Sequence, residues 1–175
     1  MSTLLITGCN IIFWLALHFG VAGVITSLPL SCQNRLFDYR RASFRVSERE
    51  MACYKKLRIA RWKDLLPQYN RDFDKRHLRL PCDSPYLAEF IFNTCRAETI
   101  HILIGIAGFA SLLFCLLEER PLDYLPWYIL IALLVLLANL PFALIQRYNR
   151  QRLLRVYHLL KSREDKEQPL EDGSC

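Results

Sequence analysis

Three stretches of this 175-residue chain contain no Asp, Glu, Lys or Arg: residues 1–34, 99–117 and 124–146. About 20 consecutive, mostly apolar residues are enough to cross a bilayer as a helix. Inside a bilayer the backbone must satisfy its own hydrogen bonds, which a helix does within one segment. The fold class expected is therefore all-α, a polytopic membrane protein with spans at about 4–28, 99–117 and 125–146. At about 1.5 Å per residue the second span is the shortest, about 28 Å, and still crosses.

The first stretch lacks the basic residues that open a secretory leader, and its apolar part is longer than the usual leader core. It is expected to be retained; a cleaved leader would leave two spans. Lys and Arg set the orientation. Residues 31–97 hold 15 of the 23 and the chain from Arg147 holds seven, whereas the "EERPLD" loop holds only Arg120. Positive residues stay inside. The N-terminus and that loop are thus expected outside, with the 31–97 segment and the C-terminus cytoplasmic, in a multi-pass protein of the cell (inner) membrane. Residues 1–163 are expected to form one membrane-embedded domain and 164–175 a polar, disordered tail. The seven cysteines form no CxxC pair, and most fall on the cytoplasmic side, where reduced thiols are expected.

Pro29 ends the first helix. Tyr54, Leu57, Arg61, Trp62 and Leu65 share a face at helical spacing, so 48–66 is expected to be an amphipathic helix on the cytoplasmic surface, stopped by Pro67. "QYNRDFDKRHLRLP" reads as loop. Ser84-Pro85 then starts a helix, a hydroxyl cap followed by proline, which runs unbroken into the second span. The third span is expected to continue beyond Gln146 to about Lys161.

Polar groups at membrane depth are costly and point to function. Glu98, His101 and Gly105 share one helical face with Gly108 close by, a carboxylate and an imidazole beside small residues that allow close helix contact. A carboxylate beside histidine orients the ring as a general base requires. The plainer reading makes Glu98 a solvated boundary residue and has His101 bond to a neighbouring helix. Asn139, Ala143, Gln146 and Arg150 form a polar stripe beside Pro141, which frees the carbonyl of Leu137. Arg147, Arg150, Arg152 and Arg155 make a cationic collar. Anchoring at the interface accounts for the arginines but not for Gln146, Tyr148 and Asn149 among them; a phosphate or headgroup site accounts for both. His77, flanked by Arg76, is a second candidate base. "ETIH" matches the Glu-x-x-His element of carboxylate-bridged metal bundles, but the spans offer no second element, so no metal is expected. There is no Walker loop, GxSxG or zinc spacing, and basic patches that flank spans do not suit nucleic acid.

"RIARWKDLLP", "DKRHL", "CRAETIHI" and "NLPFALIQRYNRQRLLRVYHLLKSR", in that order, resemble the glycosyl-4,4'-diaponeurosporenoate acyltransferases, small bacterial membrane enzymes that tailor carotenoid glycosides. The likeness covers about residues 28–163, and "QRYNR" is its most specific part. It implies transfer of a fatty acyl group from acyl-CoA, a co-substrate rather than a cofactor, to a sugar hydroxyl of a lipid glycoside. Membrane lipids are the other expected partners, and oligomeric state stays open. The His-x4-Asp pattern of many acyltransferases is not met, since His77 to Asp83 is one residue too long. The catalytic candidates are His101 with Glu98 orienting it, and His77 as the alternative. The candidate substrate contacts are Arg61, Lys63, Arg76, Arg96, Asn139, Gln146, Arg147, Tyr148, Asn149, Arg150 and Arg152. A rival reading is a non-catalytic membrane subunit whose collar binds anionic lipid or a partner protein. The two part at Arg150: a collar that needs only charge tolerates lysine, whereas a bidentate phosphate contact does not.

Overall fold

A computed structural model describes residues 2–67, 73, 74, 76, 78, 79 and 82–167. Among them there are helices and turns but no strand. Three helical segments are long and apolar enough to cross a membrane: Thr3–Ser27, Ser84–Cys115 and Pro121–Lys166. In chain order the helices are α1 (Thr3–Ser27), α2 (Leu30–Leu36), α3 (Glu48–Lys56), α4 (Ile59–Trp62), α5 (Ser84–Ala107), α6 (Leu112–Cys115) and α7 (Pro121–Glu167), with single 3-10 turns at Ala42–Phe44 and Gly108–Ser111.

The chain forms two compact units. One comprises residues 1–36 and 96–144, the other 37–95 and 145–175. In the first, α1 ends where Leu28 turns extended ahead of Pro29. The carbonyls this leaves are not wasted: Gln33 Nε2 donates to the carbonyls of Thr26 (3.1 Å) and Leu28 (2.8 Å). Gln33 sits on α2, a short helix that restarts after the proline and that the sequence pattern does not mark. Along α1, Leu4, Ile12, Phe19 and Val24 lie exposed, as lipid-facing residues would.

Two glycines govern the packing of this unit. A Cβ on Gly105 would lie 2.7 Å from Leu136 Cδ1 and 3.5 Å from its Cα, so α5 and α7 approach closely there. A Cβ on Gly108 would lie 2.8 Å from the Trp14 ring of α1. Helices in a membrane gain little from the hydrophobic effect and associate through such close packing. The second span is accordingly not one uniform α-helix. It tightens into a 3-10 turn at Gly108–Ser111, where Trp14 presses against it, before α6.

The second unit has its core in Leu87, Phe90, Ile91 and Leu153. Phe73 stacks on Tyr86 at 5.6 Å and tilts against Phe90 at 5.1 Å. The cap of α5 is Asp83 rather than Ser84: Asp83 Oδ1 accepts from the Tyr86 N–H at 2.9 Å. A carboxylate both bonds an orphan N–H and favours the positive end of the helix, which places Ser84 and Pro85 inside the first turn. The expected single helix over 48–66 is two. Ser47 caps α3 by accepting from the Glu50 N–H (3.2 Å), and Arg58 then adopts a left-handed conformation, φ 53° and ψ 38°. That conformation costs a non-glycine residue about 1 kcal/mol, and arginine gives no sign of it in the sequence. At its far end α7 runs to Glu167, so residues 164–167, expected as tail, are helical; 168–175 lie outside the described residues.

The glycine contacts give a direct stability test. Gly108→Val should lower the stability of the detergent-solubilised protein by about 1–3 kcal/mol, since a rigid indole blocks the added atoms. Gly20→Ala, with nothing within 4 Å of the new Cβ, should be neutral or slightly stabilising. Thermal unfolding of the two variants beside the wild type checks the contrast, and an equal response would show that Gly108 is not a packing site.

Candidate functional site

In the first unit, polar chemistry collects around His101. Gly105 and Leu136 bring α5 and α7 together, and one turn along in opposite directions lie His101 and Asn139. His101 Nδ1 is 3.0 Å from Asn139 Oδ1. The amide is itself held, because Asn139 Nδ2 donates to the Val135 carbonyl at 2.9 Å, which turns Oδ1 toward the ring. An oxygen facing Nδ1 requires the ring proton on that nitrogen, and a neutral imidazole then presents Nε2 as an acceptor. Phe142 stacks on the ring at 4.9 Å and 17°. The partner the structure gives this histidine is thus an amide on the neighbouring helix. Glu98, expected to orient it, is 1% exposed and so is not a solvated boundary residue. Arg96, from the same turn of α5, donates to Gln33 Oε1 at 3.2 Å and so supports the cap of α1.

In the second unit the α7 arginines divide by face. Arg147 donates from Nε to Glu50 Oε1 (2.7 Å) and from Nη2 to Glu50 Oε2 (3.3 Å), a bidentate pair, and reaches the carbonyls of Ser43 (2.9 Å) and Arg45 (3.1 Å). Arg150 is fully buried. Its Nη2 donates to the Phe44 carbonyl at 3.1 Å and its guanidinium lies 5.1 Å from the centre of the Phe44 ring. Both residues therefore hold the 42–50 segment in place. This removes Arg150→Lys as a test between enzyme and collar, because the change damages the fold under either reading. Glu50 also accepts from the Tyr54 hydroxyl. Burial acts to raise the Glu50 carboxyl, but the hydrogen bonds from Arg147 and Tyr54 and the charge of Arg147 outweigh it and hold the group below its ordinary value.

The next turn of α7 faces an open pocket of about 280 Å³ lined by Arg152, Arg155 and Asn149, by Arg76 and Asp74, and by the apolar Phe90 and Leu153. Arg152 and Arg155 are exposed, and Asn149 is 5% exposed. Arg76 Nη2 donates to the Asp64 carbonyl at 2.6 Å. The other candidates disperse. Lys63 is buried and pairs with Asp64 at 2.6 Å, Arg61 is exposed on α4, and Gln146 and Tyr148 are half-buried on α7. His77 lies outside the described residues. Among the described residues no group of three His, Cys, Asp or Glu could hold a metal.

Sequence reasoning missed Glu50, Phe142 and the backbone carbonyls that bind the arginines. The Ser47-x-x-Glu50 spacing marks a helix start, but nothing in it announces that Glu50 serves Arg147.

A helical chain with three segments long and apolar enough to span a membrane, and an imidazole hydrogen-bonded between two of them, belongs to the class of polytopic membrane proteins. Within that class the chain belongs to the glycosyl-4,4'-diaponeurosporenoate acyltransferase family, whose profile matches residues 33–159. Both polar clusters fall inside the match and α1 outside it. A glycosyl-4,4'-diaponeurosporenoate acyltransferase from Staphylococcus aureus (strain bovine RF122 / ET3-1) is 28% identical over 161 residues, covering 88% of this chain and 89% of the relative. Another, from strain N315, is 26% identical over 158 residues with the same coverage. No solved structure matches the chain.

The Glu50 pair predicts a pH dependence. A folded value below the unfolded one, about 4.3, means that its stabilisation is present above that range and lost as pH falls through the folded value. Glu50→Gln should cost about 1–3 kcal/mol at pH 7. The gap from wild type should close on acidification below about pH 4. Unfolding of both proteins at the two pH values measures this, and a gap that does not change with pH would remove the ion pair as its cause.

Proposed function

We propose that this chain is a membrane acyltransferase that moves a fatty acyl group from acyl-CoA to a sugar hydroxyl of a lipid glycoside; the name of its relatives, glycosyl-4,4'-diaponeurosporenoate acyltransferase, supports the acyl transfer. The observation that carries the reading is the His101–Asn139 pair, which leaves Nε2 as the free acceptor of a fixed imidazole. Nε2 takes the proton of the sugar hydroxyl as that oxygen attacks the thioester carbonyl. The new C–O bond forms, the C–S bond breaks, and the imidazolium returns its proton to the departing thiolate of coenzyme A. Asn139 acts as a positioning residue, since it touches the base and not the substrate, and buried Glu98 belongs to the same polar region of α5. His77 is the alternative base.

In this reading the chain lies in the cell membrane with its N-terminus outside and its basic segments cytoplasmic, on the side where acyl-CoA is made. The apolar tails of donor and acceptor remain in the bilayer. The rival, a subunit that binds anionic lipid through a basic collar, loses support from the packing of Arg147 and Arg150: both are spent on the protein's own 42–50 segment. A glycolipid unrelated to carotenoids keeps the same chemistry and differs only in the acceptor.

Membranes containing the protein, long-chain acyl-CoA and a panel of glycosylated carotenoids and simpler glycolipids test the reaction through coenzyme A release and a one-acyl mass gain. His101→Ala should lower turnover by about 10²–10⁴-fold. Asn139→Leu should lower kcat with KM nearly unchanged, as loss of orientation alone predicts. Turnover that survives His101→Ala but not His77→Ala would move the base to His77. A gain only on simple glycolipids would replace the acceptor, and no gain on any acceptor with folded, inserted protein would favour the binding subunit.

A further inference from the structure

The pocket on the second unit holds a combination that the fold itself does not use. Arg152 and Arg155 make no ion pair or hydrogen bond among the described residues, in contrast to Arg147 and Arg150 on the same helix. Asn149 is 95% buried by its 5% exposure, lines the pocket, and has no side-chain hydrogen bond among the described residues. Its amide is not among the buried side-chain groups left without a partner, so it opens onto the pocket, where a ligand or water can meet it. Asp74 also lines the pocket, its Oδ1 accepting from the backbone N–H of Arg76. Phe90, 6% exposed, supplies an apolar wall.

These groups call for a ligand with several parts. Guanidinium groups suit phosphate through paired N–H donors. A bare phosphate could accept from Asn149 Nδ2 but would leave its Oδ1 without a donor and would lie in the same pocket as the Asp74 carboxylate, which repels it. A nucleoside phosphate answers each group: ribose hydroxyls or an exocyclic amine donate to Asp74, the edge of a purine pairs with an asparagine amide, and its face lies on apolar or guanidinium surface. We infer that the pocket formed by Arg76, Asp74, Asn149, Arg152 and Arg155 binds the adenosine-phosphate end of the coenzyme A thioester. This rests on acyl-CoA being the donor. It assigns donor recognition to Arg152 and Arg155, on the face of α7 turned away from the arginines that secure the fold.

The full chain in nanodiscs of zwitterionic phosphatidylcholine, titrated with radiolabelled coenzyme A, tests the site. ADP should compete with coenzyme A, whereas inorganic phosphate at the same concentration should not. Replacing both exposed arginines (Arg152→Gln with Arg155→Gln) should weaken coenzyme A binding at least about tenfold. Asn149→Ala, which removes only the amide, should weaken coenzyme A and ADP together. Unchanged coenzyme A binding in the double variant overturns the proposal. So does displacement by phosphate, or by anionic phosphatidylglycerol nanodiscs, that equals displacement by ADP, since the pocket would then read phosphate or lipid headgroup alone. The transferase reading is judged separately on the wild type with an acyl-pantetheine thioester, a donor that lacks the nucleotide. Absence of transfer from that donor and from acyl-CoA, with ADP-sensitive coenzyme A binding intact, sinks the reaction and supports the site.

Discussion

The close approach of α5 and α7 at Gly105 and Leu136 is the contact on which the polar chemistry of the first unit depends. With no Cβ at position 105, Leu136 Cδ1 occupies space that any other residue would claim. Two antiparallel helices so close bring the next polar positions within hydrogen-bond distance, and His101 meets Asn139 at 3.0 Å. A larger residue at 105 would push α7 outward. A side-chain hydrogen bond weakens steeply with such displacement, so the geometry of the His101 imidazole is set by a residue that has no chemistry of its own.

On α7 the same residue type does two unlike jobs, and helical geometry separates them. At about 100° per residue, Arg147 and Arg150 lie roughly 60° apart, as do Arg152 and Arg155, and the two pairs point in directions about 140° apart. The first pair meets the carbonyls of the 42–50 segment and the Glu50 carboxylate, the second the open pocket. The Arg150 guanidinium, buried, meets the dipole of the Phe44 carbonyl through Nη2 and the π face of the Phe44 ring. Exposed guanidinium groups with no protein partner keep their donors for a ligand. The "QRYNRQR" stretch therefore anchors, but mostly to protein.

The spans were legible because charge is excluded from them over lengths that a bilayer demands. The 3.6-residue period was also enough to place Glu98, His101, Gly105 and Gly108 together, and the two glycines do mark close helix contacts. What could not be read were features fixed by tertiary partners or by single backbone angles. Arg58 breaks the expected 48–66 helix through a left-handed φ that arginine seldom adopts. Asp83 took the cap expected of Ser84, since both are good caps one residue apart and only the hydrogen bond decides. The link between Arg147 and Glu50 joins residues 97 positions apart, and no local pattern carries such a pairing.

The identity of the partner of His101 matters for how a base can work at membrane depth. A carboxylate hydrogen-bonded to the ring would orient it but would add a charge where charge is costly. It would also favour the protonated ring, which cannot accept the hydroxyl proton. An asparagine amide orients through a dipole alone. With its own N–H group tied to the Val135 carbonyl, it cannot rotate to offer a donor to Nδ1 without giving up that bond. The ring is thus held in the tautomer with Nε2 open, and in the proposed reaction positive charge would arise only while a proton is in transit from hydroxyl to leaving thiolate. The Phe142 ring stacked on the imidazole limits its remaining rotation and offers the transient imidazolium a π face. A base assembled in this way holds its orientation without a permanent ion pair, which a site between apolar helices would otherwise have to desolvate.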